Sequence, residues 1–402
     1  MKILLLAGYM PWKENRRAAC GLLYSLVKYR PSEVNITIYS FNFNNIPSKD
    51  IDIVRQELNC EINVIPLSWW NKLLHGSSLL TRLFIWLSPL PHPTYFKIPK
   101  KIKDVVSSNE YDIVWMYPHD FYRLAYQFQD QKFVITGMDC ESWNKLSRLS
   151  DPYFMQRKIE SLHQLVYQWQ DIRRERQLNK ENILLHLVGL TDLNFYERHT
   201  KAKNAFFLLH PHYQVHKKTI KFSRGKLKIL IAGAYNFFMK TDVDIMVDNF
   251  RHESQLQDKV HITFLGKGWN SVSEKLQEAG YDCEIKAWVE NYVEELVNHD
   301  VQITPITNGG GTKGKVLDAL ANGLLVISSQ QAALNIAVRN HDSILVYNRP
   351  QDLSKMLLSI YNNKERFERI AEKGRMQVLT YHDPVRISTR FFGIIENKFN
   401  IK

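Results

Sequence analysis

The stretch Asn308-Gly309-Gly310-Gly311-Thr312-Lys313-Gly314-Lys315 constrains this 402-residue chain more than any other. Three successive glycines follow a candidate strand, Val301–Pro305, and precede Val316-Leu317-Asp318-Ala319-Leu320-Ala321, a run of strong helix formers. A strand, a glycine turn and a helix start in that order form a phosphate cradle. Glycine lets the backbone approach an anion closely and aim its N–H groups at it, and the helix adds the positive end of its dipole. Lys313 and Lys315 bring charge to the same place, and Asp318 sits about one turn into the helix, placed to accept hydrogen bonds from ribose hydroxyls. The outline is that of a nucleotide-diphosphate site.

The remaining pattern is one of alternating strands and helices, which implies α/β architecture with doubly wound sheets. Ile3–Ala7, Val34–Tyr39, Tyr111–Tyr117, Lys132–Ile135 and Leu184–Gly189 read as strands, with a helix over Ala18–Tyr29. A polar, basic stretch over His210–Lys226 marks the domain boundary. Beyond it Leu227–Gly233, His261–Gly266, Cys283–Lys286, Val301–Pro305 and Leu324–Ser328 read as strands again. The expected organisation is a first domain over 1–212, a second over 213–383 and a final helix in 384–402. The length is ample for two such domains.

The cradle, its helix and the strand Leu324-Leu325-Val326-Ile327-Ser328 together resemble the donor-sugar motif of GT-B glycosyltransferases, especially the retaining family 4 and its group 1 type relatives. That resemblance implies two Rossmann-like domains facing a cleft, the donor on the second, and a last helix over Pro384–Phe399 crossing back to the first. It implies donor contacts from Gly309, Gly310, Gly311, Thr312, Lys315 and Asp318. Gly233 and Lys240, in Ala232-Gly233-Ala234-Tyr235-Asn236-Phe237-Phe238-Met239-Lys240, occupy the family's first donor-side turn. Three positions depart from the pattern. Asp318 stands where the family usually has a ribose-binding glutamate, Gly310 where many members have a second glutamate that contacts the sugar, and Leu325 where a proline is usual.

Transfer also requires a group at the acceptor hydroxyl. Asp139, in Gly137-Met138-Asp139-Cys140-Glu141-Ser142-Trp143, lies past the strand ending at Ile135, where open α/β sheets place their sites. Glu141 competes for the role, and His119 after Tyr117-Pro118 is a third candidate. A second reading makes Asp139 or Ser142 the cap of the following helix. His210-Pro211-His212 with His216 has no carboxylate cluster nearby, and no Asp-x-Asp ends a strand, so neither a metal nor a cofactor is expected; the nucleotide sugar is substrate. Cys20, Cys60, Cys140 and Cys283 form no Cys-x-x-Cys pair, which fits a reducing compartment.

A formal charge of +12 points to an acidic partner, and no motif of nucleic-acid binding accompanies it. No apolar run reaches the roughly 20 residues of a membrane-spanning helix. Trp69-Trp70 and Leu79–Leu90, with Lys97, Lys100, Lys101 and Lys103, concentrate aromatic and basic residues suited to an anionic bilayer surface, or else to a buried helix with a solvated face. The expectation is a cytoplasmic glycosyltransferase, peripheral at the inner membrane. It moves a sugar from a nucleotide-diphosphate donor to a glycan or lipid-linked acceptor of bacterial-type surface polysaccharide, with retention or inversion open. Alternatives are a nucleotide-sugar-binding protein without turnover, suggested by Gly310, and a GT-B epimerase or phosphorylase.

Overall fold

The computed structural model describes residues 1–13, 20–76, 79–216 and 219–401, leaving aside the side chains of Leu79, Leu80 and Arg82. It divides into two compact units: Met1–Leu146, Leu162–Tyr213 and Pro384–Lys402 form the first, and Ser147–Ser161 with Gln214–Asp383 the second.

In the first unit Lys2–Ala7 (β1), Asn35–Ser40 (β2), Glu61–Val64 (β3), Ile113–Tyr117 (β4), Phe133–Thr136 (β5), Ile183–Leu187 (β6) and Ala205–Phe207 (β7) make a parallel sheet in the order β3-β2-β1-β4-β5-β6-β7. The apolar run of β1 is buried on both faces. Ile3, Leu5 and Ala7 enter one core and Leu4 and Leu6 the other, as a parallel sheet covered on both sides requires. Strand order reverses between β1 and β4, where Ile3 pairs with Ile113, and the carboxyl ends there are the natural place for a site.

The second unit repeats the plan. Leu227–Ala232 (β8), Val260–Leu265 (β9), Asp282–Lys286 (β10), Val301–Thr304 (β11), Leu325–Ser328 (β12) and Leu345–Val346 (β13) run parallel in the order β10-β9-β8-β11-β12-β13, with the reversal between β8 and β11. The glycine turn follows β11 directly.

Short β3, β7 and β13 carry too few apolar residues to stand out in sequence. The first helix is described from Cys20 to Lys28; Ala18 and Ala19 lie outside the described residues, as do Lys217 and Lys218 of the basic stretch. Residues 147–161, expected in the first domain, cluster with the second unit. Asp151 explains it. Its carboxylate accepts from Thr241 Oγ1 (3.1 Å), Thr307 Oγ1 (2.6 Å) and Asn308 Nδ2 (3.1 Å), and Phe154 packs edge-on against Phe237.

The helix Pro384–Phe399 belongs to the first unit. Ser388 Oγ donates to Leu26 O (2.8 Å), and the fully buried Phe391 and Phe392 lie against Trp115 at 4.9 and 6.1 Å between ring centroids. Truncating Phe391→Ala removes a large ring from a closed core and is expected to destabilise the first unit by about 3–5 kcal/mol. Urea unfolding of the whole chain measures this as an earlier transition for that unit.

Candidate active site

Two side-chain assemblies stand at the carboxyl ends of the sheets, one in each unit. In the second unit the glycine turn is built by gathering its carbonyls. Lys313 Nζ donates to Gly309 O (3.1 Å) and Gly310 O (2.5 Å), Gln331 Nε2 to Gly309 O (2.5 Å) and Asn335 Nδ2 to Gly311 O (3.0 Å). Carbonyl oxygens that would repel an anion are thereby held by protein donors. Gly309 and Gly311 have φ of +97° and +66°, which L-residues with a side chain rarely adopt. Gly309 N–H donates to Ser147 Oγ (2.9 Å), and Thr312 follows half-buried.

Lys315 projects from the first turn of the helix Gly314–Ala321 to Ala232 O (3.1 Å) at the end of β8. It lies over Gly233, where a Cβ would be 2.2 Å from Lys315 Nζ and φ is +126°. Trp269 Nε1 donates to Gly233 O (2.7 Å), and a Cβ on Gly266 would come within 2.4 Å of that oxygen, so the turns after β8 and β9 are locked together. Among the described residues no carboxylate pairs with Lys315 within 4.0 Å. Burial lowers its pKa, opposed by Asp318.

Burial pushes Asp318 up to about 7, with Lys315 pulling the other way. Tyr292 Oη is buried without a hydrogen-bond partner among the described residues, and burial together with the Asp318 charge raises its phenol well above the usual value. Asp318 and the unpartnered Tyr292 hydroxyl thus lie close enough for the carboxylate charge to act on the phenol. Lys240, by contrast, is engaged by Asp244 (2.9 Å) and Tyr235 Oη (2.8 Å) beside its own helix. Gly310 offers no side chain to the site.

In the first unit His119 and Asp120 follow β4, Asp139 and Glu141 follow β5, and Arg174 enters from the helix Lys158–Gln177. His119, Asp139, Cys140, Arg174 and Glu175 line one small cavity. Gly137 permits this, since a Cβ there would stand 3.1 Å from His119 Nδ1. Arg174 pairs with Asp171 (2.9 Å) and lies 3.8 Å from Asp120, which is 3.9 Å from His119 Nε2; Lys145 pairs with Glu141 (2.7 Å).

The environments drive these groups apart. Burial, reinforced by Arg174, lowers His119 to about 3, so the imidazole is neutral at physiological pH. Burial lifts Asp120 to about 6 against the pull of Arg174. Glu141 goes down: burial would raise it, but Lys145, His119 and Arg174 favour the carboxylate. One carboxyl near neutrality beside one held ionised is the arrangement that divides acid and base roles.

Several side chains meet the start of the helix Glu141–Leu149. Cys140 N–H donates to Asp192 (2.9 Å) and Ser142 N–H to Glu175 (3.0 Å), while Ser142 Oγ itself donates to Glu175 (2.5 Å). Asp139 reaches Asn144 Nδ2 at 3.5 Å.

Sequence reasoning missed Asp120, Lys145, Arg174 and Tyr292. Asp120 adjoins His119 in sequence, a signal open to reading. Arg174 sits in an ordinary-looking charged helix.

His210 uses both ring nitrogens within its own segment, with Pro211 O (2.8 Å) and Tyr213 Oη (3.0 Å). Among the described residues Glu284, Glu295 and His299 have metal-ligand spacing, but Lys286 already lies 3.3 Å from Glu284 and 2.7 Å from Glu295.

Residues 226–363 match the family model of glycosyl transferases group 1. No curated protein matches the sequence. Among solved structures, Anabaena HepE in complex with UDP and glucose is 12% identical, with 99% of this chain and 100% of that one covered and a TM-score of 0.63. Sucrose-phosphate synthase from Thermosynechococcus elongatus is 11% identical over 100% of both chains, with a TM-score of 0.65. WaaG, a glycosyltransferase involved in lipopolysaccharide biosynthesis, is 12% identical over 96% of this chain and 98% of its own, with a TM-score of 0.58. Likeness at this identity concerns the fold.

Asp318→Asn separates stability from binding. The folded pKa of about 7 lies above the unfolded value of about 3.9, so the stability Asp318 contributes is complete below pH 4 and lost as pH rises through 7. The variant is therefore expected to gain thermal stability over the parent progressively from pH 4 to 8, read from melting midpoints across that range.

Proposed function

We propose that this chain, which has the GT-B fold and matches the group 1 glycosyl transferases over residues 226–363, is a glycosyltransferase of that type that transfers a sugar from a nucleotide-diphosphate donor to a glycan or lipid-linked acceptor. The observation that carries the donor assignment is Lys315 laid over Gly233 with no ion-pair partner among the described residues, beside a glycine turn whose carbonyls are already held. A diphosphate supplies the missing counter-charge, and Asp318 with Tyr292 accepts and donates to ribose hydroxyls one helical turn away. Gly309, Gly310, Gly311 and Thr312 supply the close backbone approach. Lys240 takes part only by leaving Asp244.

On the acceptor side, the cluster of His119, Asp120, Asp139 and Glu141 offers neutral and ionised groups together. Asp139 remains the proposed group at the acceptor hydroxyl, with Asp120 and Glu141 setting the local charge. The stereochemical course follows from whether such a carboxylate attacks or assists. Leaving-group charge is met by Lys315 and backbone N–H groups, so the reading requires no metal.

An exposed apolar face favours an acceptor at a membrane surface. Trp69, Leu83, Trp86 and Leu87 are exposed on the helices Trp69–His75 and Leu79–Leu87, and Leu162, Leu165 and Trp169 on the helix Lys158–Gln177. Gln170 Nε2 ties the two regions by donating to Ile85 O and Ser88 O (both 2.7 Å), and Arg173 lies over Trp169. Among the described residues no helix is long and apolar enough to cross a membrane, so the face would lie on the surface. Sedimentation with phosphatidylglycerol vesicles is expected to carry the parent down and to lose most of it for Trp69→Ala/Leu87→Ala; equal pelleting of both proteins rejects the membrane reading.

Thermal stabilisation by UDP, GDP, ADP and CMP tests the donor site. One nucleotide at about 100 times its dissociation constant is expected to add roughly 2.7 kcal/mol to the parent and little to Lys315→Ala. Gly233→Ala, which drives a methyl into Lys315 Nζ, is expected to weaken the same response. No response from any nucleotide rejects the donor assignment.

A further inference from the structure

A cavity of about 520 Å³ in the first unit is lined by Trp70, Tyr95, Phe96 and Phe121, by the cations Lys97, Lys103 and Arg123, and by Asp120 of the carboxylate cluster. Its size suits one or two sugar rings. None of the three cations has a carboxylate partner within 4.0 Å among the described residues, so with Asp120 as the one carboxylate of the lining the cavity carries an excess of positive charge. Lys97 Nζ lies 5.4 Å from the centre of the Trp70 ring, whose Nε1 is fixed on Tyr95 O (3.0 Å). Asn71 holds the backbone of Lys97 from both sides, accepting from its N–H (2.8 Å) and donating to its carbonyl (2.9 Å). The wall is therefore rigid.

A second observation points to a ligand. Thr94 lines the same cavity at 3% exposure, and its Oγ1 is buried without a hydrogen-bond partner among the described residues. An unpaired buried hydroxyl costs about 1–3 kcal/mol, which a polar ligand atom recovers. Asp120 closes the floor of the cavity and is shared with the cluster of His119 and Arg174.

Building on the transferase reading, we propose that this cavity is the acceptor pocket and that it selects a sugar bearing a phosphate group. The aromatic rings face the sugar, Lys103, Arg123 and Lys97 neutralise the phosphate, Thr94 Oγ1 bonds a hydroxyl, and Asp120 stands at the end where the acceptor meets the catalytic cluster. A soluble sugar phosphate and the diphosphate of a lipid-linked sugar share this chemistry.

Calorimetric titration distinguishes them, with glucose, glucose 6-phosphate and a short prenyl-diphosphate-linked N-acetylglucosamine in detergent as probes. At least one phosphorylated probe is expected to bind about tenfold or more tightly than glucose, to lose about tenfold in Lys103→Ala/Arg123→Ala, and to weaken in the near-isosteric Thr94→Val. The phosphorylated probe that binds identifies the source. Binding of both phosphorylated probes no tighter than glucose, or unchanged by removal of the two cations, overturns the proposal. Nucleotide stabilisation of the same double variant is expected to match the parent, showing an intact fold and donor site; its loss in the parent itself would instead reject the donor reading.

Discussion

The approach of Lys315 to the turn after β8 is the contact on which the donor half depends. It needs a residue without Cβ at Gly233, a positive φ there, and a second glycine at Gly266 so that the neighbouring turn can close on Gly233 O. A lysine placed this way is half-buried and has no ion-pair partner among the described residues. Partial burial disfavours its ammonium, and an anion in the proposed site would offset that cost. Asp318 and Tyr292 follow the same logic, with polar groups buried ahead of a partner.

The first unit uses a different device. One guanidinium, Arg174, serves Asp171 and Asp120 and depresses the neighbouring imidazole of His119. Burial is the larger cause of these shifts, and a single buried cation adds to or opposes it at several candidate groups at once. Glu175 next to it secures the start of the helix that presents Glu141, through Ser142 and Cys140. Position and charge of the cluster are thus controlled from one turn of the helix Lys158–Gln177.

Much of this was open to reading in the chain. The parallel sheets announce themselves because strands buried on both faces must be apolar throughout, and the glycine turn because a φ such as the +97° of Gly309 is rarely adopted by a residue with a side chain. Short edge strands were hidden, since Glu61–Val64, Ala205–Phe207 and Leu345–Val346 are too brief to show a period. The attachment of residues 147–161 to the second unit was hidden as well, since it rests on one carboxylate, Asp151, meeting Thr241, Thr307 and Asn308 across distant parts of the sequence.

What the sequence determined by itself is local: which segments are strands, where the backbone must turn left-handed, and that a lysine and a carboxylate follow the turn at helical spacing. Tertiary structure alone decided how each charge is used. Lys313 folds onto the carbonyls of its own turn while Lys315, two residues on, spans to Ala232; Lys240 is spent on Asp244; Asp120 becomes the carboxyl near neutrality. The reason is physical. Spacing sets the direction a side chain leaves the backbone, but its charge state depends on burial and on neighbours from other strands, which only the folded chain brings near.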